Sequence, residues 1–308
     1  MNVALLAGGL GGSRFARAVA EAIGPENLTV VGNVGDDLEV FGLHVSPDLD
    51  TILYTLAGQL DEERGWGRAR ETWNALATAQ ELGAETWFQL GDRDLGLHLV
   101  RTEALRAGEP LSAVTARLAW ALGVEVTLLP ATDDRLRTWV RTPAGELPFQ
   151  DWFVRRQHHD DVNGVRFEGA DQARAAPGVL EALEGADLIA IAPSNPFVSI
   201  GPILAVAEIR AALEPRQAPV VAVSPLIGGR TVRGPADRML ASLAGGTGPA
   251  QVTDCYKGLI DALVIDEADA DEPAPIGVDR IVTRTLMRDA SSRRRLAEAV
   301  LETAAARR

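Results

Sequence analysis

Four glycines in five positions, caught between two apolar runs, constrain this chain more than any other stretch. Val3-Ala4-Leu5-Leu6-Ala7 turns through Gly8-Gly9-Leu10-Gly11-Gly12-Ser13-Arg14 into the amphipathic run Phe15 to Ile23. A second apolar run, Leu28 to Val31, leads into Gly32-Asn33-Val34-Gly35-Asp36-Asp37, and Ser46-Pro47-Asp48-Leu49-Asp50-Thr51 follows. The order reads as strand, glycine turn, helix, strand and acidic rim. Glycines let backbone pass close to a ligand, and the next helix offers unpaired N–H groups at its start. That favours phosphate. Carboxylates beside a phosphate repel it unless a divalent cation lies between them, so the stretch predicts a metal-bridged phosphate site.

Bulk properties narrow the partners. A net charge of −13 argues against generic binding to nucleic acid or an anionic membrane. Cys255 is the lone cysteine, which excludes an intrachain disulfide and fits a reducing cytoplasm; it reads as small buried filler. The N-terminus lacks the basic segment of a signal peptide, and no apolar run reaches the ~18 residues that suggest a membrane span. A homodimer is the expectation from base rates alone.

Further along, Ser46-Pro47 reads as a helix start, with Ser as N-cap and Pro just inside. Helices are expected over residues 70–82, 97–106 and 111–122, a strand over 124–129, and a hairpin over 137–153. His158-His159-Asp160-Asp161 reads as a solvated loop, because adjacent histidines splay apart and no ligand spacing surrounds them. From about residue 177 apolar strands alternate with helices: Leu188 to Ala192, Val220 to Val223 and Ala262 to Ile265 are the clearest strands. The expected fold is α/β, a Rossmann-like doubly wound, mostly parallel sheet in a single domain. Residues 1–56 and 177–308 form its core, with a helical and β-hairpin insertion at 57–176. Gly8, Asn33, Ser194 and Ser224 each follow a strand, so all four are expected to line one crevice.

The glycine turn is Gly-Gly-x-Gly-Gly-Ser. It misses G-x-G-x-x-G because Arg14 stands in the last position, and Asn33 occupies the place of the acid that would hold a ribose. No Gly-Lys-Ser/Thr follows, which removes a Walker A loop. Tight strand-to-helix packing is the alternative for such a run, but packing needs one or two glycines rather than four.

Taken together, these motifs resemble the 2-phospho-L-lactate transferase family of coenzyme F-420 biosynthesis, including its phosphoenolpyruvate-transferring branch. The resemblance rests on Gly8 to Phe15, Asn33 to Asp37, Ser46 to Thr51, Gly91-Asp92-Arg93-Asp94, Pro193-Ser194-Asn195-Pro196 with Ser199 to Pro202, and Ser224 to Gly229 leading to Gly234-Pro235-Ala236-Asp237. It implies transfer of a phosphoenolpyruvyl or 2-phospholactyl group from a guanosine diphosphate diester. The acceptor is the ribityl hydroxyl of the deazaflavin 7,8-didemethyl-8-hydroxy-5-deazariboflavin. GMP leaves, and magnesium is required. On this reading Asp36 and Asp50 hold the metal, and Asp50 also orients or deprotonates the acceptor hydroxyl. Asp48 reads as an acid complementing the helix dipole, and Asp37 stays open between a supporting role and solvent. Gly9, Gly11, Gly12, Ser13 and Asn33 hold the diphosphate; Ser194, Asn195 and Gly228 hold the guanosine side. Asp50, Trp66, Gln89 and Arg93 face the deazaflavin, with Gln89 standing where some archaeal members carry lysine. Two consequences are expected: Gly11→Val blocks the donor diphosphate in a folded protein, and Asp50→Asn leaves stability unchanged or better. The alternative is a non-catalytic regulator of the same fold that binds a nucleotide sugar or dinucleotide.

Overall fold

The computed structural model describes residues 1–306 apart from 215, 216 and 275. Its first strand, β1 (Val3–Ala7), is buried along its whole length, and α1 (Gly9–Ile23) follows after one residue. β2 (Leu28–Gly32) comes next. A small hairpin of β3 (Leu38–Val40) and β4 (Leu43–Val45) then precedes α2 (Pro47–Leu56). The hairpin was not foreseen. Its turn puts Phe41 at φ 53° and Gly42 at φ 71°, and Phe41 is not a residue that announces such a turn.

The middle of the chain supplies α3 (Asn74–Glu81), α4 (Asp92–Arg106), α5 (Leu111–Ala121) and β5 (Thr127–Pro130). α3 starts later than expected because Arg70 takes φ 58° and breaks the helical path. Asp92 then supplies the start of α3, accepting from the N–H of Asn74 at 3.1 Å and of Ala75 at 3.0 Å. β6 (Arg137–Thr142), β7 (Gly145–Pro148) and β8 (Gly164–Glu168) form a separate three-stranded antiparallel sheet ordered β7-β6-β8. The expected hairpin is its first two strands; the third was missed.

The regular alternation resumes with α6 (Val179–Glu184), β9 (Leu188–Ile191), the short helices α7 (Gly201–Ala205) and α8 (Ala207–Ala212), and β10 (Val220–Val223). A two-stranded turn of β11 (Leu226–Ile227) and β12 (Arg230–Thr231) leads to α9 (Ala236–Ala244) and α10 (Pro249–Cys255). β13 (Ala262–Asp266), β14 (Asp279–Thr283) and α11 (Ala290–Ala305) close the chain.

Seven strands form the main sheet in the order β14-β13-β10-β9-β1-β2-β5, and every neighbouring pair runs parallel. Helices flank it, with α1 packed against both α2 and α11. β1, β9, β10 and β13 are wholly buried, whereas the edge strand β14 has no buried position. Their continuous apolar sequences are what a parallel strand covered on both faces demands. One strand crosses the expected boundary: β5 lies inside 57–176, yet it pairs with β2 as the sheet's other edge. Cys255 is half-buried, and burial pushes its thiol up to about 11, so it carries no thiolate.

The chain order reverses between β1 and β9. From β1 it moves outward to β2 and β5; from β9 it moves the other way to β10, β13 and β14. Ligands of open parallel sheets bind outside the carboxyl ends of the strands at such a reversal. Ala7-Gly8 and Ala192-Pro193-Ser194 stand there, and the Ser194 hydroxyl donates to the Gly8 carbonyl at 2.7 Å.

Candidate active site

A cavity of about 750 Å³ opens at that reversal, toward the large end of the usual range for small-molecule sites. Gly8, Gly9 and Gly11 line one end, with Asp36, Asp48 and Asp50 along its floor. Trp66, Phe88 and Gln89 stand over another part, and Phe149, Phe153 and His158 from the antiparallel sheet's side form a further wall.

The glycine run serves packing more than expected. A Cβ on Gly8 would lie 2.5 Å from Asp48 Oδ2; one on Gly11 would lie 2.5 Å from the Pro193 carbonyl oxygen; one on Gly12 would lie 2.8 Å from Ser194 Oγ. Three of the four glycines therefore let α1 sit close against the strand ends and α2. Gly9 differs: it has φ +65°, and an added Cβ would meet nothing nearer than Ser199 Oγ at 4.0 Å. It faces the cavity at the start of α1; its own N–H is taken by the Asp48 carboxylate, and the next N–H groups of the first turn lack an intrahelical acceptor. The expectation for Gly11→Val is accordingly corrected: the branched side chain would strike backbone before it reached a ligand.

Several expected contacts fall outside the cavity wall. Gly12 packs inward, and Ser13 is fully buried, donating to the Leu10 carbonyl at 3.0 Å while accepting from Thr55 Oγ1 at 2.9 Å. Asn33 is also fully buried. Its amide donates to Asp48 Oδ2 at 2.8 Å and to the Val198 carbonyl at 3.1 Å, and its oxygen accepts from Gly35 N–H at 2.8 Å. The side-chain amide of Asn33 is thus spent on Asp48, the Val198 carbonyl and its own turn, not on a diphosphate. Gly228 lines a separate small cleft, where its N–H and that of Gly229 donate to Asp269. Gly91 to Asp94 is the first turn of α4 rather than a loop: Asp92 caps α3, Arg93 is exposed and absent from the cavity wall, and Asp94 alone reaches the cavity. Asp36, Asp50, Trp66, Gln89, Ser194 and Asn195 do line it, as does Ser224. His158 also lines it, stacked on Phe153 at 5.4 Å, and so departs from a purely solvated loop.

Two acidic groups share the floor. In the first, Asp36, Asp37 and Asp48 are all buried. Burial raises the Asp36 carboxyl well above its ordinary value, with Asp48 adding to the rise and Asn33 opposing it. Asp48 is pushed up to about 6 by burial, against the hydrogen bonds from Asn33 and the Gly9 backbone. Asp37 receives the Ser46 hydroxyl at 2.9 Å and lies 2.9 Å from His44 Nε2. Ser46 thus stands at the expected helix start, but its hydroxyl serves Asp37 instead of capping. Asp36 Oδ1 and Asp37 Oδ1 are buried without a hydrogen-bond partner.

The second group was not foreseen as a unit. Both oxygens of Asp50 are taken by the buried guanidinium of Arg101: Nη1 donates to Oδ2 at 3.0 Å and Nη2 donates to Oδ1. His98 sits between acids, its Nδ1 3.8 Å from Asp50 and its Nε2 3.3 Å from Asp94. Tyr54 donates to Asp94 at 2.5 Å. Burial pushes Asp94 up, but His98, Tyr54 and Arg101 outweigh it and hold the carboxyl below its ordinary value. Asp50 and Tyr54 come from one face of α2 at i, i+4 spacing; Asp94, His98 and Arg101 come from one face of α4 at i, i+4, i+7. That spacing was the available signal.

The arrangement is a glycine-lined strand end at the reversal point of a parallel sheet, floored by acids and walled by aromatics. That is the class to which a transferase of phosphorylated small molecules belongs. Comparison with known proteins gives the family. The family described as 2-phospho-L-lactate transferase CofD matches residues 3–299, and the chain belongs to it. Among similar proteins is a phosphoenolpyruvate transferase of Kitasatospora aureofaciens, 45% identical with 98% of this chain and 97% of that protein covered. One of Streptomyces coelicolor is 45% identical over 93% of this chain and 92% of that protein. One of Mycobacterium tuberculosis is 42% identical over the same shares. Among solved structures, a UPF0052 family member from Bacillus halodurans shares the fold, with a TM-score of 0.64, 18% identity, and 97% and 98% of the two chains covered.

Proposed function

We propose that the protein transfers a phosphoenolpyruvyl or 2-phospholactyl group from its guanosine diphosphate diester to 7,8-didemethyl-8-hydroxy-5-deazariboflavin, releasing GMP, in coenzyme F-420 biosynthesis. The relatives named phosphoenolpyruvate transferase favour the first donor. The observation that carries the reading is the meeting, in one cavity, of crowded buried carboxylates with the open glycine at the start of α1. A diphosphate and a cation answer each other's charge there, and transfers of this kind depend mainly on positioning and charge neutralisation.

Magnesium fits the first acidic group. Asp36 and Asp48 are two carboxylates without a built-in counter-charge, and Asp36 keeps an unpartnered oxygen. Magnesium is bound through one or two carboxylates plus substrate phosphates. Among the described residues no group of three or more His, Cys, Asp and Glu side chains could hold a metal ion, so substrate oxygens would have to complete the shell. When bound, the ion would neutralise the donor diphosphate. We move the second ligand from Asp50 to Asp48, because both Asp50 oxygens already face Arg101.

Asp50 keeps its place against the acceptor. Held by Arg101, it presents a fixed carboxylate to the cavity, where it accepts the hydrogen bond of the ribityl hydroxyl and aims that oxygen at the distal phosphorus. The new bond forms between that oxygen and phosphorus as the hydroxyl proton passes to Asp50; the bond from phosphorus to the bridging oxygen breaks, and GMP carries that oxygen and the electron pair away. The N–H groups of the first turn of α1 beyond Gly9, which have no acceptor within the helix, receive charge developing on the phosphoryl oxygens. Trp66, 41% exposed and backed by Arg64 at 5.2 Å from its ring, offers a face for the planar acceptor. Purified protein assayed with each donor, the deazaflavin and magnesium tests this by product mass. Absence of both products, with no change in deazaflavin absorbance or fluorescence on mixing, overturns it in favour of a nucleotide-binding regulator.

A further inference from the structure

Three arginines line the cavity: Arg14, Arg64 and Arg233. Two are answered by acids. Arg14 pairs with Glu62 at 2.6 Å, and Arg64 with Asp61 at 2.9 Å. Arg233 has no carboxylate partner among the described residues. It stands in the segment between β12 and α9, on the bank opposite residues 61–67. Its guanidinium crosses to that bank, where Nη1 donates to the Arg64 carbonyl at 2.6 Å and Nη2 to the Glu63 carbonyl at 3.2 Å. Gly65 leaves the space for it. With φ +76°, this residue would carry an added Cβ into Arg233 Nη1 and to within 2.9 Å of Leu10 Cδ2, in the first turn of α1. The guanidinium therefore sits between the start of α1 and the segment that carries Trp66.

We propose that Arg233 binds the carboxylate of the group being transferred. The inference rests on the function proposed above and adds what recognises the donor's far end. Charge matching supports it. The donor diphosphate is met by the cation at Asp36 and Asp48 and by the start of α1. The carboxylate of an enolpyruvyl or lactyl group is then the anionic charge left over. In an in-line displacement the acceptor oxygen approaches the distal phosphorus opposite GMP, so the carboxylate hangs to one side of that line. Arg233, between the start of α1 and the segment that carries Trp66, is the cavity arginine without a carboxylate partner among the described residues. The rest of the floor is acidic and would repel the carboxylate. The fork also fits: the guanidinium already holds two oxygens side by side, and a carboxylate presents two oxygens with a full charge. Trading neutral carbonyls for a carboxylate also frees residues 61–67, so that the donor prepares the acceptor's side of the cavity.

The test compares Arg233→Met and Arg233→Lys with the unaltered protein in magnesium, by calorimetric titration with GDP and with the carboxylate-bearing diester. GDP has the diphosphate but lacks the transferred group. Arg233→Met is expected to weaken the diester by about 30-fold or more, as for loss of a charge-paired partner, and to change GDP binding less than about threefold, with an unchanged thermal melt. Arg233→Lys should fall between. An equal loss for both ligands overturns the proposal and assigns the guanidinium to the diphosphate. Unchanged donor binding with a raised acceptor KM also overturns it, leaving only the contact between the two banks. Failure of the unaltered protein to bind GDP or to turn over is a separate result, and it overturns the underlying function instead.

Discussion

The two acidic groups on the cavity floor use the same residue type at similar burial and behave oppositely. Around Asp36 and Asp48 the fold supplies an amide, backbone and another acid, and the carboxyl groups rise above their ordinary values. Around Asp50 and Asp94 it supplies a guanidinium, an imidazole and a phenol, and Asp94 falls below its own. Burial is common to both, so the difference lies in the counter-charge. One group is complete within the protein; the other lacks a built-in counter-charge, which the proposed cation would supply. The contrast predicts opposite responses to removing a charge.

The largest effect is expected at Arg101. Arg101→Met leaves Asp50 as an unpaired buried carboxylate and should destabilise by about 3–5 kcal/mol, read as a lower denaturation midpoint. The double variant Arg101→Met with Asp50→Asn removes both charges and should recover more than half of that loss while staying inactive. A single variant as stable as the unaltered protein would break the comparison at its root.

Asp50→Asn comes next, and here the structure reverses the sequence expectation. The expectation of unchanged or better stability assumed crowding by a like charge. The neighbour is Arg101 instead, so the substitution strands a buried cation. Stability should fall by about 3–5 kcal/mol, and turnover by on the order of 100-fold or more through loss of the hydroxyl's acceptor. Turnover is measured at a temperature where the variant's melt shows it folded. Near-normal turnover there would remove Asp50 from the chemistry.

These two residues also mark the limit of what the sequence discloses. The parallel sheet was legible because its central strands are continuous apolar runs, and the cavity's position followed from Gly8 and Ser194 standing after β1 and β9. The pairing of Asp50 with Arg101 was not legible. Asp94, His98 and Arg101 form a polar stripe on α4, and such a stripe ordinarily faces water. Only the placement of α4 across the floor, where Asp94 meets Tyr54 and Arg101 meets Asp50, turns it inward. The glycine run misled in the other direction. It looked like a ligand cradle, yet Gly8, Gly11 and Gly12 are small because Asp48, Pro193 and Ser194 press on them. Likewise Asn33, placed correctly after β2, spends its amide on Asp48 and Val198.

A smaller effect of opposite sign is expected in the first group. Asp36→Asn removes a carboxylate that burial and Asp48 both disfavour, so the protein without added metal should hold its melting temperature or gain by about 1 kcal/mol, a typical scale for single substitutions. The increase in melting temperature on adding magnesium should disappear, and turnover with it. If Asp36→Asn destabilised as Asp50→Asn does, the two groups would not differ as argued.

The smallest effect is a pH dependence that separates the groups without any substitution. Asp48 has its carboxyl raised from the ordinary 3.8 to about 6. A folded-state value above the unfolded one means that the native protein holds the proton longer. The stabilisation from that proton is fully present below about pH 4 and is lost as pH rises through about 6. Asp94 has the opposite shift, so its contribution is present above the ordinary carboxylate range and is lost as pH falls below it. A cation competes with the proton at Asp48 but has no place at Asp94. The gain in melting temperature from magnesium should therefore be slight near pH 4.5 and grow as pH rises through 6, where Asp48 gives up its proton. Scans across that range, with and without magnesium, measure it directly. A magnesium effect that is flat with pH would mean that the cation does not displace a proton from Asp48, and the metal assignment would have to move to another carboxylate.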